Sequence, residues 1–271
     1  MRYYSLAFLT ISELDPITAI YTAAESGYDA VGLRMLKASP IESDYPLLYD
    51  DALFVKVAEA IKETGIDIGD VELIRLKPDT DVSSFKPFFE RAHILGARHV
   101  IVAGDDDKFH RITENFTMLC ELAFSYGMTA DLEPMPWTKV PNIKTALQIV
   151  ESAGMSNGGI LVDALHFHRS GDTFDAIRAI PPERIHIFQI CDAPILFDSS
   201  PTALVHTARA NRLFPGYGEI DLKGILSCIP DSAIISVEVP NLKMAQIVPA
   251  QERARCALHA AKKILSTIHT T

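Results

Sequence analysis

Cysteine is scarce and unpatterned in this sequence of 271 residues. The four cysteines are scattered without a CxxC pair, at Cys120, Cys191, Cys228 and Cys256. This distribution excludes a disulfide framework and a zinc ribbon, and it indicates reduced thiols in a cytoplasmic protein. Long apolar runs are missing too, because none reaches the roughly 18 residues of a membrane span. We therefore predict no membrane partner.

Acidic residues outnumber basic ones. The net charge of −10 at pH 7 repels phosphate backbones and argues against nucleic acid as a partner. With 48% hydrophobic and 22% charged residues, the composition is that of an ordinary globular protein and excludes a disordered chain. Composition does not change abruptly anywhere along the sequence, so residues 1–271 are predicted to form one domain.

A glycine-rich loop is missing after the first apolar segment, where Thr10-Ile11-Ser12-Glu13 stands instead. A doubly wound dinucleotide-binding fold, the structural alternative, would normally carry such a loop at this place. The N-terminal segment also lacks the small-residue cleavage site of a signal peptide, so it is interpreted as a first strand.

What the sequence does contain is a regular alternation of eight short β-rich runs with longer helical segments. The strands are predicted over 3–11, 30–35, 66–76, 99–103, 128–133, 159–163, 185–190 and 233–238. The helices are predicted over 16–26, 50–64, 84–95, after the capping triplet 105–107, and over 142–153, 172–180, 221–229 and 246–266, with 193–219 as the longest irregular stretch. Parallel strands joined by right-handed helical crossovers, eight times over, predict an α/β fold of the (β/α)8 TIM barrel type.

Polar residues end four consecutive predicted strands, the fifth to the eighth: Glu133, Asp163, Gln189 and Glu238. The active site of such a barrel lies where the carboxyl ends of its strands meet. Three carboxylates converging there would repel one another unless a cation neutralised them, and a divalent metal with oxygen ligands is the simplest cation. The competing interpretation is that each carboxylate is a helix cap or a solvated loop residue.

Two polar segments follow these strand ends. Residues 163–171 place His166, His168 and an arginine just beyond the sixth strand, and residues 211–219 form a loop of turn-formers that carries Arg212. The second segment is long enough to fold over the mouth of the barrel.

These residues resemble the sugar phosphate isomerase/epimerase superfamily with xylose isomerase-like TIM barrels, which includes ketose 3-epimerases and inosose dehydratases. The resemblance extends over nearly the whole chain and is most specific in residues 132–138, 162–171, 189–194 and 214–221. In that family a Glu, an Asp, a His and a Glu from strands five to eight hold one divalent metal. The resemblance therefore implies Glu133, Asp163 and Glu238 as three of the metal ligands.

The fourth ligand position departs from the family pattern. Many members have His-x-x-Asp at the end of strand seven, whereas this chain has Gln189-Ile190-Cys191-Asp192. A glutamine amide oxygen is a hard, neutral ligand, so an all-oxygen set favours Mn²⁺ or Mg²⁺, with Zn²⁺ and Co²⁺ as the alternatives.

The resemblance also implies a chemistry. The metal would polarise a carbonyl of a ketose-like substrate, and Glu133 and Glu238 would move the proton of the neighbouring carbon. His166 would bond a substrate oxygen, and Arg212 would hold a distal hydroxyl, carboxylate or phosphate. Three further residues are predicted to line the pocket: Arg34, Glu72 and Trp137. His186, His206 and His259 are predicted to be structural.

Several functions remain open at this point. An isomerase or epimerase for a sugar, sugar phosphate or related polyhydroxy keto compound is the first hypothesis. A dehydratase (lyase) would use the same metal and base, and a non-catalytic ligand-binding barrel is the alternative that Gln189 supports. A nuclease of the endonuclease IV type is rejected, because strand four ends in Ala103-Gly104-Asp105, without the histidine its metal cluster needs, and because of the acidic charge. The exposed helices of such barrels often pack subunits into homodimers or homotetramers, and either assembly is compatible with this sequence.

Overall fold

The computed structural model describes residues 2–38, 42 and 45–267, and its centre is one parallel β-sheet. The strands are β1 Tyr4–Leu6, β2 Ala30–Arg34, β3 Asp67–Leu76, β4 His99–Gly104, β5 Thr129–Glu133, β6 Gly158–Ile160, β7 Val162–Asp163, β8 Ile187–Ile190 and β9 Ile234–Val237. Their spatial order is β6-β5-β4-β3-β2-β1-β9-β8-β7. Because β6 and β7 flank Leu161 and together form the sixth predicted strand, the two ends of the sheet adjoin and the barrel is nearly closed.

Helices surround the barrel. They are α1 Pro16–Ser26, α2 Asp51–Thr64, α3 Lys86–Ile94, α4 Phe109–Ser125, α5 Ile143–Ala153, α6 Ala164–Ser170, α7 Phe174–Arg178, α8 Pro201–Ala210, α9 Leu222–Leu226, α10 Leu242–Ala245 and α11 Ala250–Ser266. Short 3-10 turns cover Phe8–Ile11, Pro46–Leu48, Val82–Phe85 and Pro182–Arg184. Within the described ranges, none of these helices has the length and apolarity to cross a membrane.

Local signals set where the helices begin and end. The Asp15 carboxylate accepts hydrogen bonds from the backbone N–H groups of Ile17 and Thr18 at the start of α1, and proline occupies its first turn. At its other end Gly27 has φ 86°, the left-handed conformation that glycine adopts without strain. These capping residues explain why the first helix lies where the sequence predicts it.

Two apolar layers hold the fold together. The larger layer lies between the strands and the surrounding helices and includes Phe88, Phe116 and Phe188. A smaller cluster, which includes Ile101 and Leu161, comes from the alternate side of the strands and fills the barrel interior. The predicted (β/α)8 TIM barrel is thereby confirmed.

Several predicted boundaries are wrong. The first strand ends at Leu6, because residues 8–11 form a 3-10 turn. The segment 193–219 is not irregular throughout, since Ser200 caps α8 and proline occupies its first turn. Residues 163–180 hold two short helices. The last predicted helix, 246–266, begins only at Ala250, and a separate short helix, α10, precedes it.

The acidic triplet 105–107 does not cap a helix with its side chains. Helix α4 begins later, at Phe109, and its N-cap residue is Lys108. Asp106 instead accepts from the Lys108 backbone N–H and forms an ion pair with Arg111 (Nε–Oδ2 2.5 Å). Asp105 pairs with Arg75 on the neighbouring strand.

Candidate functional site

The polar residues predicted at the strand ends lie together at the carboxyl end of the barrel. Glu133 is the last residue of β5, Asp163 the last of β7, Gln189 lies within β8, and Glu238 directly follows β9. Asp163 pairs in register with Gln189, so the two side chains are neighbours on one face. All four side chains are buried.

Arg212 occupies the space between two of these carboxylates. Its Nη1 lies 2.5 Å from Asp163 Oδ2, and its Nη2 lies 2.8 Å from Glu238 Oε2. The side chain is 1% exposed, although it comes from the segment after α8 that was expected to close over the mouth. Arg212 is therefore an internal partner of the carboxylates, and its terminal nitrogens are already engaged.

Gln189 brings an unpaired oxygen into the same space. Its Nε2 donates to Glu238 Oε1 at 3.3 Å, which leaves the amide oxygen directed elsewhere. That oxygen is buried and has no hydrogen-bond partner among the described residues. A buried acceptor without a donor is costly, and a cation placed beside it would remove the cost.

His166 lies closer to the carboxylates than a substrate contact alone requires. Its backbone N–H donates to Asp163 Oδ1 at 2.8 Å, and its Nε2 lies 3.5 Å from Glu133 Oε1. One ligand atom each from Glu133, Asp163 and His166 lies within 4.8 Å of the others, a separation that a single metal ion can span. Trp137 packs edge-on against the imidazole with ring centroids 4.9 Å apart.

A second ion-pair network adjoins the first. Arg34 Nη2 lies 3.0 Å from Glu72 Oε2, and Arg34 Nη1 lies 3.3 Å from Glu42 Oε2. Glu42 also pairs with Arg209 on α8 at 3.2 Å. The residues Arg34, Glu72, Trp137 and His166 line one cavity together with Glu133, Arg209, Arg212 and Glu238.

Burial shifts the pKa values of the site carboxyls. Desolvation and the nearby charges of Glu238 and Asp163 raise the pKa of Glu133 well above its usual value. Desolvation, only partly offset by Arg212, raises the pKa of Glu238 to about 8. Burial opposes ionisation of Asp163 too, but Arg212 and His166 outweigh it and hold the pKa of that carboxyl below its usual value. Desolvation lowers the pKa of His166 to about 4, which keeps its imidazole neutral and able to act as a ligand.

The charges of the site leave room for a divalent cation. Four carboxyl groups face two guanidinium groups, so full ionisation would leave two negative charges without a positive partner. The groups counted are Glu72, Glu133, Asp163 and Glu238 against Arg34 and Arg212. The neighbouring carboxylates add to desolvation in raising the pKa values of Glu133 and Glu238. The donor set and the unpaired amide oxygen therefore fit a divalent metal.

Some members of the site escaped sequence reasoning. The structure adds Glu42 and Arg209 to the network, and it places His166 among the candidate ligands as well as beside the cavity. Glu42 lies in a segment without a periodic pattern, so sequence signals could not place it. Arg209 sits three residues before Arg212 in a helix that the sequence analysis did not recognise.

The fold is a (β/α)8 barrel, and its polar site lies at the carboxyl ends of the strands, where enzymes of this fold have their active sites. The sequence profile of the family described as "xylose isomerase-like TIM barrel" matches residues 20–264. The chain belongs to this family.

Relatives with named activities are similar over part of the chain. The inosose isomerase of Bacillus velezensis is 25% identical over 198 residues, which cover 68% of this chain and 68% of that protein. The 3-dehydroshikimate dehydratase of Pseudomonas aeruginosa is 28% identical over 134 residues, covering 48% of this chain and 20% of that protein. The family thus contains isomerases and dehydratases, and the prediction of an isomerase-like enzyme, with a lyase as the alternative, is confirmed at this level.

Solved structures agree on the fold. The crystal structure of an IolI protein with a bound zinc atom superimposes with a TM-score of 0.81 at 21% identity, covering 99% of this chain and 100% of that chain. A D-psicose 3-epimerase crystallised with D-fructose superimposes with a TM-score of 0.72 at 16% identity, covering 97% and 99%. At these identities the likeness concerns the fold alone.

Proposed function

We propose that this protein is a divalent-metal-dependent isomerase or epimerase for a polyhydroxy keto compound of the sugar or inosose kind. The observation that carries the proposal is the buried set Glu133, Asp163, Gln189 and Glu238 at the carboxyl end of the barrel. This site has more carboxyl than guanidinium groups and an unpaired amide oxygen. The inosose isomerase relatives support the choice of substrate class.

Glu133, Asp163, Gln189 and Glu238 would hold the metal, with His166 as a fifth donor beside Glu133 and Asp163. When bound, a divalent ion polarises a substrate carbonyl and acidifies the neighbouring C–H. The oxygen-rich set favours Mn²⁺ or Mg²⁺, whereas His166 makes Zn²⁺ and Co²⁺ more suitable than the carboxylates and amide alone would.

Glu133 and Glu238 are proposed to move the proton. They lie on β5 and directly after β9, on different sides of the barrel mouth, and both line the cavity. One carboxylate on each side of a flat carbon centre can remove a proton from one face and return it on the other. Arg212 would hold Glu238 in place through its 2.8 Å ion pair, so the proposed role of Arg212 shifts from distal anchor to positioning residue.

The remaining predicted residues would bind substrate. Arg34 and Glu72, which already pair at 3.0 Å, present a donor and an acceptor on the same wall of the cavity. Neutral His166 would bond a hydroxyl or, as a ligand, the ion itself, and Trp137 would close the cavity beside it. Such a surface suits vicinal hydroxyl groups, each of which both donates and accepts.

A dehydratase is the second candidate, and the 3-dehydroshikimate dehydratase relatives favour it. The same proton abstraction would then be followed by loss of a β-hydroxyl, with a proton delivered to the leaving oxygen. The neutral form of Glu238 or a substrate-bound water would supply that proton.

Metal content tests the site first. Protein purified without chelators and then loaded with Mn²⁺ is expected to bind one equivalent of metal at this site. The variants Glu133→Gln and Asp163→Asn should each lose that equivalent. Glu151→Gln, on the exposed face of α5, is the matched control and should keep it. Retention of all bound metal in the Glu133 and Asp163 variants would refute the site.

Turnover tests the reaction. Inososes and ketoses are incubated with the metal-loaded enzyme in D₂O and followed by NMR. An isomerase places deuterium on the carbon next to the carbonyl, whereas a dehydratase yields a conjugated product that absorbs in the ultraviolet. Glu133→Gln, which loses a metal ligand as well as the base, should lower kcat by at least the roughly 10²–10⁴-fold contribution of a general base. Exchange that survives in Glu133→Gln would rule out this carboxylate as the base.

A further inference from the structure

A compact group of imidazoles and a carboxylate lies at the opposite end of the barrel from the substrate cavity. His99 begins β4, Asp131 lies in the middle of β5, and His186 directly precedes β8. Asp131 is completely buried, while both imidazoles are near the surface of a second cavity of about 300 Å³. That cavity is lined in addition by Tyr3, Arg98, Glu183 and Ser232.

We propose that His99, Asp131 and His186 bind a second divalent ion of the zinc class. His186 Nδ1 lies 2.5 Å from Asp131 Oδ1, and His99 Nδ1 lies 3.4 Å from Asp131 Oδ2. One ligand atom from each residue lies within 4.8 Å of the other two. Bonds of about 2.0–2.1 Å to a tetrahedral Zn²⁺ place its nitrogen and oxygen ligands roughly 3.3 Å apart, so small side-chain movements suffice to admit the ion.

The donors match this metal class better than they match Mg²⁺. Two imidazole nitrogens with one carboxylate oxygen are preferred by Zn²⁺ and its neighbours, whereas Mg²⁺ prefers an all-oxygen set. Thr129 adds an oxygen beside the same groups, since its Oγ1 lies 2.7 Å from His99 Nδ1 and 2.6 Å from Asp131 Oδ2. The open cavity can supply water to a remaining position.

The surroundings of His186 fit a ligand histidine. Its ring also hydrogen-bonds to the backbone of Glu183, while Nδ1 points at the carboxylate. A ligand histidine whose other nitrogen donates to backbone is the usual arrangement around protein-bound metals, because it fixes the tautomer and the ring orientation. In the metal-free protein Nδ1–H donates to the Asp131 carboxylate, and a bound ion would displace that proton, as metals displace the protons of their ligands.

The adjacent strand is shaped around the group. A Cβ atom added at Gly159 would collide with both Asp131 and the His186 ring, so only glycine leaves room for the two side chains to meet. The His99 and His186 rings stack with centroids 5.5 Å apart. Gly159, Leu161 and Asp163 lie on one face of this strand region. The apolar Leu161 therefore separates the lower group, His99, Asp131 and His186, from the upper site, the carboxylates and Gln189 at the carboxyl end of the barrel.

Metal stoichiometry tests the proposal independently of catalysis. Chelator-stripped protein is titrated with Co²⁺ and Zn²⁺, and bound metal is counted by elemental analysis while the Co²⁺ absorption bands report coordination. Glu133→Gln/Asp163→Asn, which lacks the upper site, is expected to keep one equivalent. The double variant His99→Ala/His186→Ala in that background should bind none.

Controls separate loss of the site from loss of the fold. His206→Ala, an exposed histidine on α8, should bind as the parent does, and Asp131→Asn, which preserves size, should weaken binding at least tenfold with an unchanged circular dichroism spectrum. The proposal is overturned if the upper-site variant binds no Zn²⁺ or Co²⁺, or if the His99/His186 double variant retains its equivalent.

Discussion

The guanidinium group of Arg212 lies between two buried carboxyl groups, those of Asp163 and Glu238. Removing one member of a buried ion-pair group leaves uncompensated charge, which costs roughly 3–5 kcal/mol. We therefore expect Arg212→Gln to lower the free energy of unfolding of the metal-free protein by about this amount, measured by urea denaturation. Arg209→Gln, which removes a partly exposed ion pair on α8, should lose no more than about 1 kcal/mol. Equal losses in the two variants would contradict the structural role assigned to Arg212.

Glu238 makes metal uptake depend on pH. Because burial raises its pKa to about 8, the carboxyl holds its proton at pH 7 in the metal-free protein, whereas a ligand must be ionised. Metal binding should therefore release protons at pH 7, and affinity should rise between pH 6 and pH 9. Calorimetric titration with Mn²⁺ in two buffers of different ionisation enthalpy measures the release. A Mn²⁺ affinity that does not change between pH 6 and pH 9 would show that Glu238 carries no proton for the metal to displace.

The positions of the candidate ligands could be predicted from the sequence, but the position of Arg212 could not. Glu133, Asp163, Gln189 and Glu238 could be predicted to meet, because strand ends in a closed barrel converge whatever the loops do. The pairing of Arg212 with two of them could not be predicted. It depends on the path of the chain between β8 and β9, which no periodic pattern encodes.

Helix α1 owes its start to one side chain. The Asp15 carboxylate accepts the first backbone N–H groups, and these bonds outweigh partial burial and lower its pKa. Asp15→Ala should cost about 1 kcal/mol at pH 7, while Asp15→Asn, which still caps, should cost less. A lowered carboxyl pKa stabilises the fold above the unfolded pKa of about 3.9 and loses its effect as pH falls through the folded value. The difference between wild type and Asp15→Ala should thus shrink below about pH 4, and urea midpoints at pH 7 and pH 3 measure it.

Helices and strands differ in how well local sequence predicts them here. Capping signals at Asp15 and Gly27, or at Asn142 and Gly154, predict boundaries to within about a residue because the cap needs no distant partner. Helix α8 carries the same signal in Ser200-Pro201, but it lies inside a segment rich in turn-formers and was missed. The 3-10 turn after β1 follows from packing at the barrel mouth, where local sequence has little influence.

The whole barrel should respond to its metal. A ligand that binds only the folded state at 100 times its Kd stabilises that state by about 2.7 kcal/mol. For a barrel of this size we expect Mn²⁺ to raise the Tm by roughly 5–10 °C in a thermal melt. Glu133→Gln should melt at the same temperature with and without Mn²⁺, and Glu151→Gln should shift like the wild type. An identical shift in all three proteins would place the stabilising ion elsewhere.

Asp131 and Glu133 stand two residues apart on the same face of β5, one in the lower group and one in the upper site. This short strand therefore has a consequence for how the protein can change over evolutionary time. Loops at the mouth can lengthen or be replaced, and substrate preference can drift with them. A residue inserted before Asp131 in β5 would turn both carboxylates away from the barrel axis, and one inserted between them would turn one of the two away. Chains descended from a common ancestor should accordingly vary freely in loop length while admitting no insertion between Thr129 and Glu133.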